Sequence, residues 1–278
     1  MLKKDRPVLF ISHSAGRSGA PILLLELIRE FKKKSVPFRI LLIKDGELSS
    51  EFKLLGETLV WKRAHQVKKE RFLARKTRQL VFRIRHRVRI LFLKRYLQGT
   101  SVIFSNTIAN GEVLEELKFL QCPVMCYVHE LEASIREATN AATLQTVKTQ
   151  SRLFLAVSKA VKENLVSKHD ISEERVKVVS THLSVLSRDP LSYKAQVDRF
   201  KLDNSIPANA VVVGLVGLNE WRKGFDFFFP LVKLYNNLFS GKVHFVWMGV
   251  NQNDPLHYRM IHDLDKLKIS NSVHLIPH

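Results

Sequence analysis

Along the chain, short apolar runs alternate with longer stretches whose apolar positions recur every three or four residues, the signature of strands alternating with amphipathic helices. Residues 7–12 (PVLFIS) read as a first strand. After the loop HSAGRSGAP, the run ILLLELIREFKKK reads as a helix with Lys32, Lys33 and Lys34 in its last turn, where cations suit the helix dipole. Residues 38–43, 57–61, 101–106, 122–130, 152–158 and 176–181 supply further strands. Helices are expected over 48–55, 109–120, 132–150 and the run KAVKENLVSK. Residues 182–207 break the rhythm with polar positions, Pro190 and Pro207, and read as a linker over 186–207. A second alternation follows: strands at 211–217, 243–249 and 273–277, helices at 224–238 and 255–268. The expected class is α/β, each unit an open, mostly parallel sheet covered by helices, with one unit over 1–185 and another over 208–278. With only three strands against about seven, the second sheet is expected to be incomplete.

The stretch that organises the rest is VVVGLVG, residues 211–217, followed by NEWRKGFDFFFPLVKLY. A Val-rich run closing on Gly217 reads as a buried parallel strand, and the periodic run from Gly224 as the helix it feeds. Such a junction forms an anion site, because free backbone N–H groups and the positive end of the helix dipole converge there. Arg222 and Lys223 sharpen the preference for phosphate. The alternative is a positively charged turn on a solvated surface.

Charge changes the picture next. The 278 residues carry a formal +19 with pI near 10.1, which points to an anionic partner. Residues 62–95 hold fourteen Lys or Arg against the single acid Glu70. Apolar Leu73, Leu80, Ile84, Val88 and Leu91 recur there at helical spacing, although residues 82–90 (FRIRHRVRI) also alternate strictly, as a half-buried strand would. As a basic amphipathic helix the segment could lie on an anionic bilayer; as a helix packed on a sheet it would simply show a solvated charged face. Aromatics are not interleaved with the basic residues as base-stacking platforms require, which argues against nucleic acid. No stretch approaches the ~18 apolar residues of a membrane span, and the opening MLKKDRPVLFIS has too brief an apolar run for a signal peptide. Cys122 and Cys126 share one apolar run; on a strand their Cα atoms would stand roughly 13 Å apart, too far for a disulfide. Free thiols and a cytoplasmic location, with peripheral contact to the inner face of a membrane, are the expectation.

Chemistry-bearing residues fall where strands end. His13, Ser14, Gly16, Ser18 and Gly19 form the loop after the first strand, small enough for close approach of a ligand, yet without the GxGxxG of a dinucleotide turn. Asn106, His129 and Ser158 close three later strands, and ligands of parallel sheets bind at such carboxyl ends. The imidazole of His129, beside Glu130, could donate a hydrogen bond to a sugar hydroxyl or phosphate oxygen, or could merely hold its loop. No HExxH, paired CxxC or Asp-rich calcium loop is present, so no metal is expected.

The order of strand, GAP loop and helix, then YVHE, AVSKAV, VGLVGLNEWRKGFD, VHFVWMG and VHLIPH resembles retaining nucleotide-sugar glycosyltransferases of the GT-B fold, family 4. NEWRKGFD is the most specific of these motifs. The resemblance implies two Rossmann-like domains, the acceptor bound mainly by the first and the sugar nucleotide by the second. It implies that Lys223, before Gly224, holds the donor diphosphate, that the backbone N–H of Gly19 faces it, and that His129 lies near the transferred sugar as the catalytic-site histidine. The family usually places an Arg after the strand-ending Gly; Leu218 stands there, with Arg222 as the substitute. The paired-glutamate motif that binds the donor sugar lies past the last strand seen here, so the resemblance implies either a fragment or an inactive truncated product. The implied activity is glycosyl transfer with retention, in bacterial cell-surface polysaccharide or glycolipid synthesis, with no metal or other cofactor. Its partners would be a nucleotide sugar and a glycan or lipid-linked acceptor. The rival class is a non-catalytic binding protein: a pseudoenzyme, or a basic module for membrane or nucleic acid.

Overall fold

The computed structural model describes residues 6–61, 88, 90–180, 189–239 and 243–277. They form two compact units, Met1–Ser184 and Val185–His278.

The first unit is a seven-stranded sheet: β1 (Val8–Ser12), β2 (Phe38–Leu42), β3 (Thr58–Val60), β4 (Val102–Ser105), β5 (Val124–Val128), β6 (Ser151–Ala156) and β7 (Val176–Val178). The strands lie in the order β3-β2-β1-β4-β5-β6-β7, every neighbouring pair parallel. The order reverses between β1 and β4, so the loops leaving those two strands diverge to opposite faces and open a crevice at their carboxyl ends. Alternation along each strand sends successive side chains to opposite faces. Val8 and Phe10 of β1 join one core with Leu24, Leu25 and Ile28 of α1 (Gly19–Lys33). Leu9 and Ile11 join the other with residues of α4 (Gly111–Glu116), α6 (Ala141–Gln150) and α7 (Lys159–His169). Full burial of side chains such as Phe10 and Phe154 contributes about 1.5–3 kcal/mol each.

Several boundaries differ from the periodicity. The long helix expected over 132–150 is two helices, α5 (Glu132–Ala138) and α6, because Asn140 caps α6: its side chain accepts from Thr143 N while the Thr143 hydroxyl accepts from Asn140 N. Over 109–120 a 3-10 turn, α4 and a second 3-10 turn replace a single helix. Gly111 is required there, since a Cβ would stand 2.2 Å from the Thr143 carbonyl oxygen. The span read as a linker holds α8 (Pro190–Asp203), begun by Asp189 accepting from Ser192 N and by Pro190 in the first turn. Both cysteines are free; Cys126 is buried on β5, whereas Cys122 precedes the strand and is half-buried.

Most of the basic segment lies outside the described residues, and with it the membrane-helix reading. Its described end is helical: residues 90–97 (α3) bury Leu93 and Leu97 in the core of the first unit. The Arg39 guanidinium sits 5.5 Å from the Tyr96 ring, and burial with Glu57 nearby pushes the Tyr96 hydroxyl up to about 12.

In the second unit β8 (Val211–Val216), β9 (Val243–Val250) and β10 (Val273–Pro277) pair in parallel in the order β10-β9-β8. Helices α9 (Phe225–Leu238) and α10 (Pro255–Leu267) cover one face. Phe200, Ile206 and Ala210 pack on the other. The expectation of a buried strand at 211–217 is corrected: β8 is an edge strand, with Val211 and Val216 exposed to 61% and 73%. One neighbour covers it instead of two. Alongside, α9 exposes a second apolar stripe, Phe227, Leu231, Leu234 and Leu238, opposite its buried Phe225, Phe228, Phe229 and Val232.

Candidate functional site

In the first unit the loops after β1, β4 and β5 bring three of the anticipated residues together. Asn106 is fully buried, and its Nδ2 donates to the Ala20 carbonyl in the first turn of α1 at 2.8 Å. That bond turns Oδ1 toward His129, whose Nε2 lies 3.1 Å away. An amide oxygen only accepts, so Nε2 carries the proton and Nδ1 is the imidazole's free acceptor. The donor role expected of His129 is therefore spent on Asn106 while the ring is neutral. The ring packs edge-on against Tyr127, centroids 4.4 Å apart. The Glu130 carboxylate accepts from the His129 backbone N at 2.9 Å and from the Thr107 hydroxyl, locking the loop after β5 to the loop after β4.

His13 belongs to the same electrostatic group. Burial pulls both imidazoles below the usual histidine range, Glu130 opposes that for each, Lys44 adds to it for His13, and His13 adds to it for His129. Both rings are thus uncharged at neutral pH. The Nδ1 of His13 is buried and has no hydrogen-bond partner among the described residues. Ser18 is the exposed N-cap of α1 but makes no side-chain cap bond, so the first N–H groups of that helix, Gly19 included, face outward unoccupied by it. A Cβ on Gly19 would meet nothing within 4 Å. Ser158 is placed otherwise: its hydroxyl accepts from Val161 N at 3.2 Å as the N-cap of α7, a structural task.

In front of this group a cavity of about 1010 Å³ opens at the ends of β1, β2 and β3 against α4, α5 and the start of α6. His13, Lys44, Trp61, Glu112 and Glu137 are among its lining residues.

In the second unit the turn between β8 and α9 is held by tertiary bonds. The Trp247 indole N–H donates to the Gly217 carbonyl at 2.8 Å, and Gly217 N to Met248 O at 2.9 Å. Asn219, almost fully buried, accepts from Asn251 N at 2.8 Å and donates to Asn251 O at 3.2 Å, so its amide ties the turn to the end of β9. Residues Trp221–Lys223 form a 3-10 turn, and Gly224, at φ +75°, caps α9. Gly217 sits at φ +154°, and the Lys223 stem lies where its side chain would be: a Cβ would come within 2.9 Å of Cδ and 3.0 Å of Cγ and Cε. Lys223 is exposed and makes no ion pair among the described residues, whereas Arg222 is paired with Glu220. The two cations that looked equivalent in sequence are not.

The model of the family described as Glycosyltransferase Family 4 matches residues 17–183, well over half of the chain. The chain belongs to glycosyltransferase family 4. No curated protein sequence matches it. Among solved structures, HepE of Anabaena in complex with UDP and glucose superposes with a TM-score of 0.73 at 14% identity, over 98% of this chain and 69% of HepE. A glycosyltransferase from Rickettsia africae gives 0.64 at 13%, over 99% and 69%. The lipopolysaccharide outer core galactosyltransferase WaaB gives 0.60 at 12%, over 97% and 67%. At these identities the likeness is one of fold, and it confirms two-sheet α/β architecture of the GT-B kind.

Several features escaped the sequence. Glu130 was legible only as a neighbour of His129, and the cavity draws on loops up to 130 residues apart, which no local pattern joins. Asn219 also went unnoticed; a lone Asn between an apolar strand and a helix opening was the available signal.

Proposed function

We propose that the chain moves a glycosyl group from a nucleoside diphosphate sugar to an acceptor hydroxyl, with retention of anomeric configuration. The observation that carries this reading is Lys223: a cation without an ion pair among the described residues, laid over Gly217 beside the opening of α9, in a chain of glycosyltransferase family 4. As the bond to the sugar breaks, negative charge builds on the departing diphosphate. An ammonium and helix N–H groups already in position stabilise that charge without reorganising. Arg222 would add to this once released from Glu220. Considered by itself, the first unit presents outward-facing N–H groups at the uncapped start of α1, at Gly19, and its His129, neutral and oriented by Asn106, offers Nδ1 to a sugar hydroxyl. HepE, one of the fold neighbours, holds UDP and glucose in one structure and UDP-glucose in another, which supports a UDP-sugar as the first donor to try.

The setting proposed is synthesis of a cell-surface polysaccharide or glycolipid at the cytoplasmic side of a membrane, reached through the basic stretch 62–95. No described helix is long and apolar enough to cross a membrane. Calorimetric titration with a panel of nucleoside diphosphate sugars, followed by mass spectrometry of products with candidate acceptors, tests the reaction. Uptake of at least one donor, weakened in Lys223→Met, is expected; indifference to every donor sinks the proposal, and uptake without turnover assigns a binding protein. Flotation with anionic and neutral liposomes tests the membrane contact, which equal binding to both would exclude.

A further inference from the structure

Two strands of the second unit begin alike, with Val243-His244 opening β9 and Val273-His274 opening β10. In the parallel register His274 lies opposite Val246, so His244 is its diagonal neighbour on the same face of the sheet. That face also carries Val246 and Ile276, packed with Phe200, Ile206 and Ala210. The two imidazoles meet there: Nδ1 of His244 stands 2.9 Å from Nε2 of His274, with ring centroids 5.1 Å apart. One of these nitrogens carries a proton and the other accepts it. Burial, and to a smaller degree His244, pulls His274 below the usual histidine range, which keeps it neutral at neutral pH, as a metal ligand must be.

Imidazole nitrogens suit copper, nickel and zinc, and copper(II) and nickel(II) favour tetragonal sites. With metal–nitrogen bonds of about 2.0 Å, two adjacent ligands of a tetragonal ion stand about 2.8 Å apart, and two ligands of a tetrahedral zinc about 3.3 Å. The observed 2.9 Å therefore suits the tetragonal ion with the strands where they are. Only the rings have to pivot, from facing each other to facing a common point. Among the described residues no group of three or more His, Cys, Asp or Glu could hold a metal, so water fills the remaining positions, which the half-exposed rings allow.

We propose that His244 and His274 form a two-histidine site for a divalent transition metal, copper(II) ahead of nickel(II) and zinc(II), which clips β10 to β9. The ion takes the place of the shared proton. That proton moves to the other nitrogen of the ring that carried it, Nε2 of His244 or Nδ1 of His274, so the neutral pair releases none. The clip lies near the amino ends of its strands, whereas the Lys223 turn follows the carboxyl end of β8. Its task is structural, and it does not depend on the transferase reading.

Calorimetric titration of the metal-free full chain, carrying no affinity tag, with copper(II) is expected to show a tightest site of one ion per chain. Electron paramagnetic resonance at one equivalent should show splitting from two nitrogens. His244→Gln and His274→Gln should each weaken that site about tenfold or more, and His262→Gln, an exposed histidine on α10, should leave it unchanged. Copper(II) should raise the urea midpoint of the wild-type second unit and of neither pair variant. A wild-type spectrum with fewer than two coupled nitrogens, equal affinity in both pair variants, which would mean an adventitious ion only, or no binding at all overturns the inference. The spectrum of the unaltered protein decides even where a variant fails to fold.

Discussion

Gly217→Ala perturbs the proposed donor turn through a single methyl group. At φ +154° an alanine is strained by about 1–3 kcal/mol. The new Cβ would lie 2.9–3.0 Å from three carbons of the Lys223 stem, against ordinary carbon contacts of about 3.5–4 Å. Because Cγ is one of the three, the stem has to leave its position near the backbone rather than just swing its tip, adding about 0.5–1.5 kcal/mol of rotamer strain. The turn cannot relax freely, since Trp247 and Asn219 hold it to β9. The expected destabilisation is about 2–4 kcal/mol, read as a lower urea midpoint for the second unit. A charge-assisted bond to a diphosphate contributes about 1.5–3 kcal/mol. Displacing the ammonium should therefore weaken donor binding by about ten- to a hundredfold in calorimetric titration. Lys223→Met separates the two effects: it keeps most of the stem and removes the charge, so affinity should fall with little change in stability. If Gly217→Ala leaves both the urea midpoint and donor affinity at wild-type values, the assigned packing of Lys223 over Gly217 is wrong.

Asn106→Ala removes the amide that bridges Ala20 and His129 and leaves a buried imidazole N–H unpaired, which should cost about 1–3 kcal/mol in urea unfolding; Asn106→Asp should instead raise the His129 pKa, seen in the imidazole proton shifts by NMR. For His13 and His129 the folded pKa is lowered, so the unfolded chain binds more protons below about pH 6.5. Their contribution to stability is complete above that pH and is lost as pH falls through the folded values; the urea midpoint should decline from pH 7 to 5, and less steeply in His13→Gln. Replacing Leu231 and Leu234 on the exposed stripe of α9 with Glu should change stability by no more than about 0.5 kcal/mol each, read as a nearly constant urea midpoint. Activity, once a donor is found, is expected to persist in EDTA, because the proposed donor turn leaves the diphosphate charge to Lys223 and the α9 opening; abolition by chelation, restored by a divalent ion, would refute that.

How much was legible can be argued from the two loops. Gly217, Lys223 and Gly224 were marked by a strand-turn-helix pattern, a local signal, and the structure puts them at one turn. Asn106 and His129 each read as strand ends, but their bond at 3.1 Å depends on β4 and β5 being neighbours. Ser158 looked equivalent to them and caps a helix instead, since its hydroxyl reaches a local N–H first.

Hydrophobic alternation and turn chemistry, properties of neighbouring residues, determined by themselves the α/β class, the strand inventory, two units and the position of the cationic turn. Tertiary structure decided which groups remain free to act. Arg222 finds Glu220 while Lys223 finds no counter-ion among the described residues, and the Nε2 proton of His129 goes to Asn106. It likewise made β8 an edge strand despite its wholly apolar sequence. The reason is physical: periodicity records what each segment can bury, whereas pairing, exposure and charge state depend on residues brought together from distant parts of the chain.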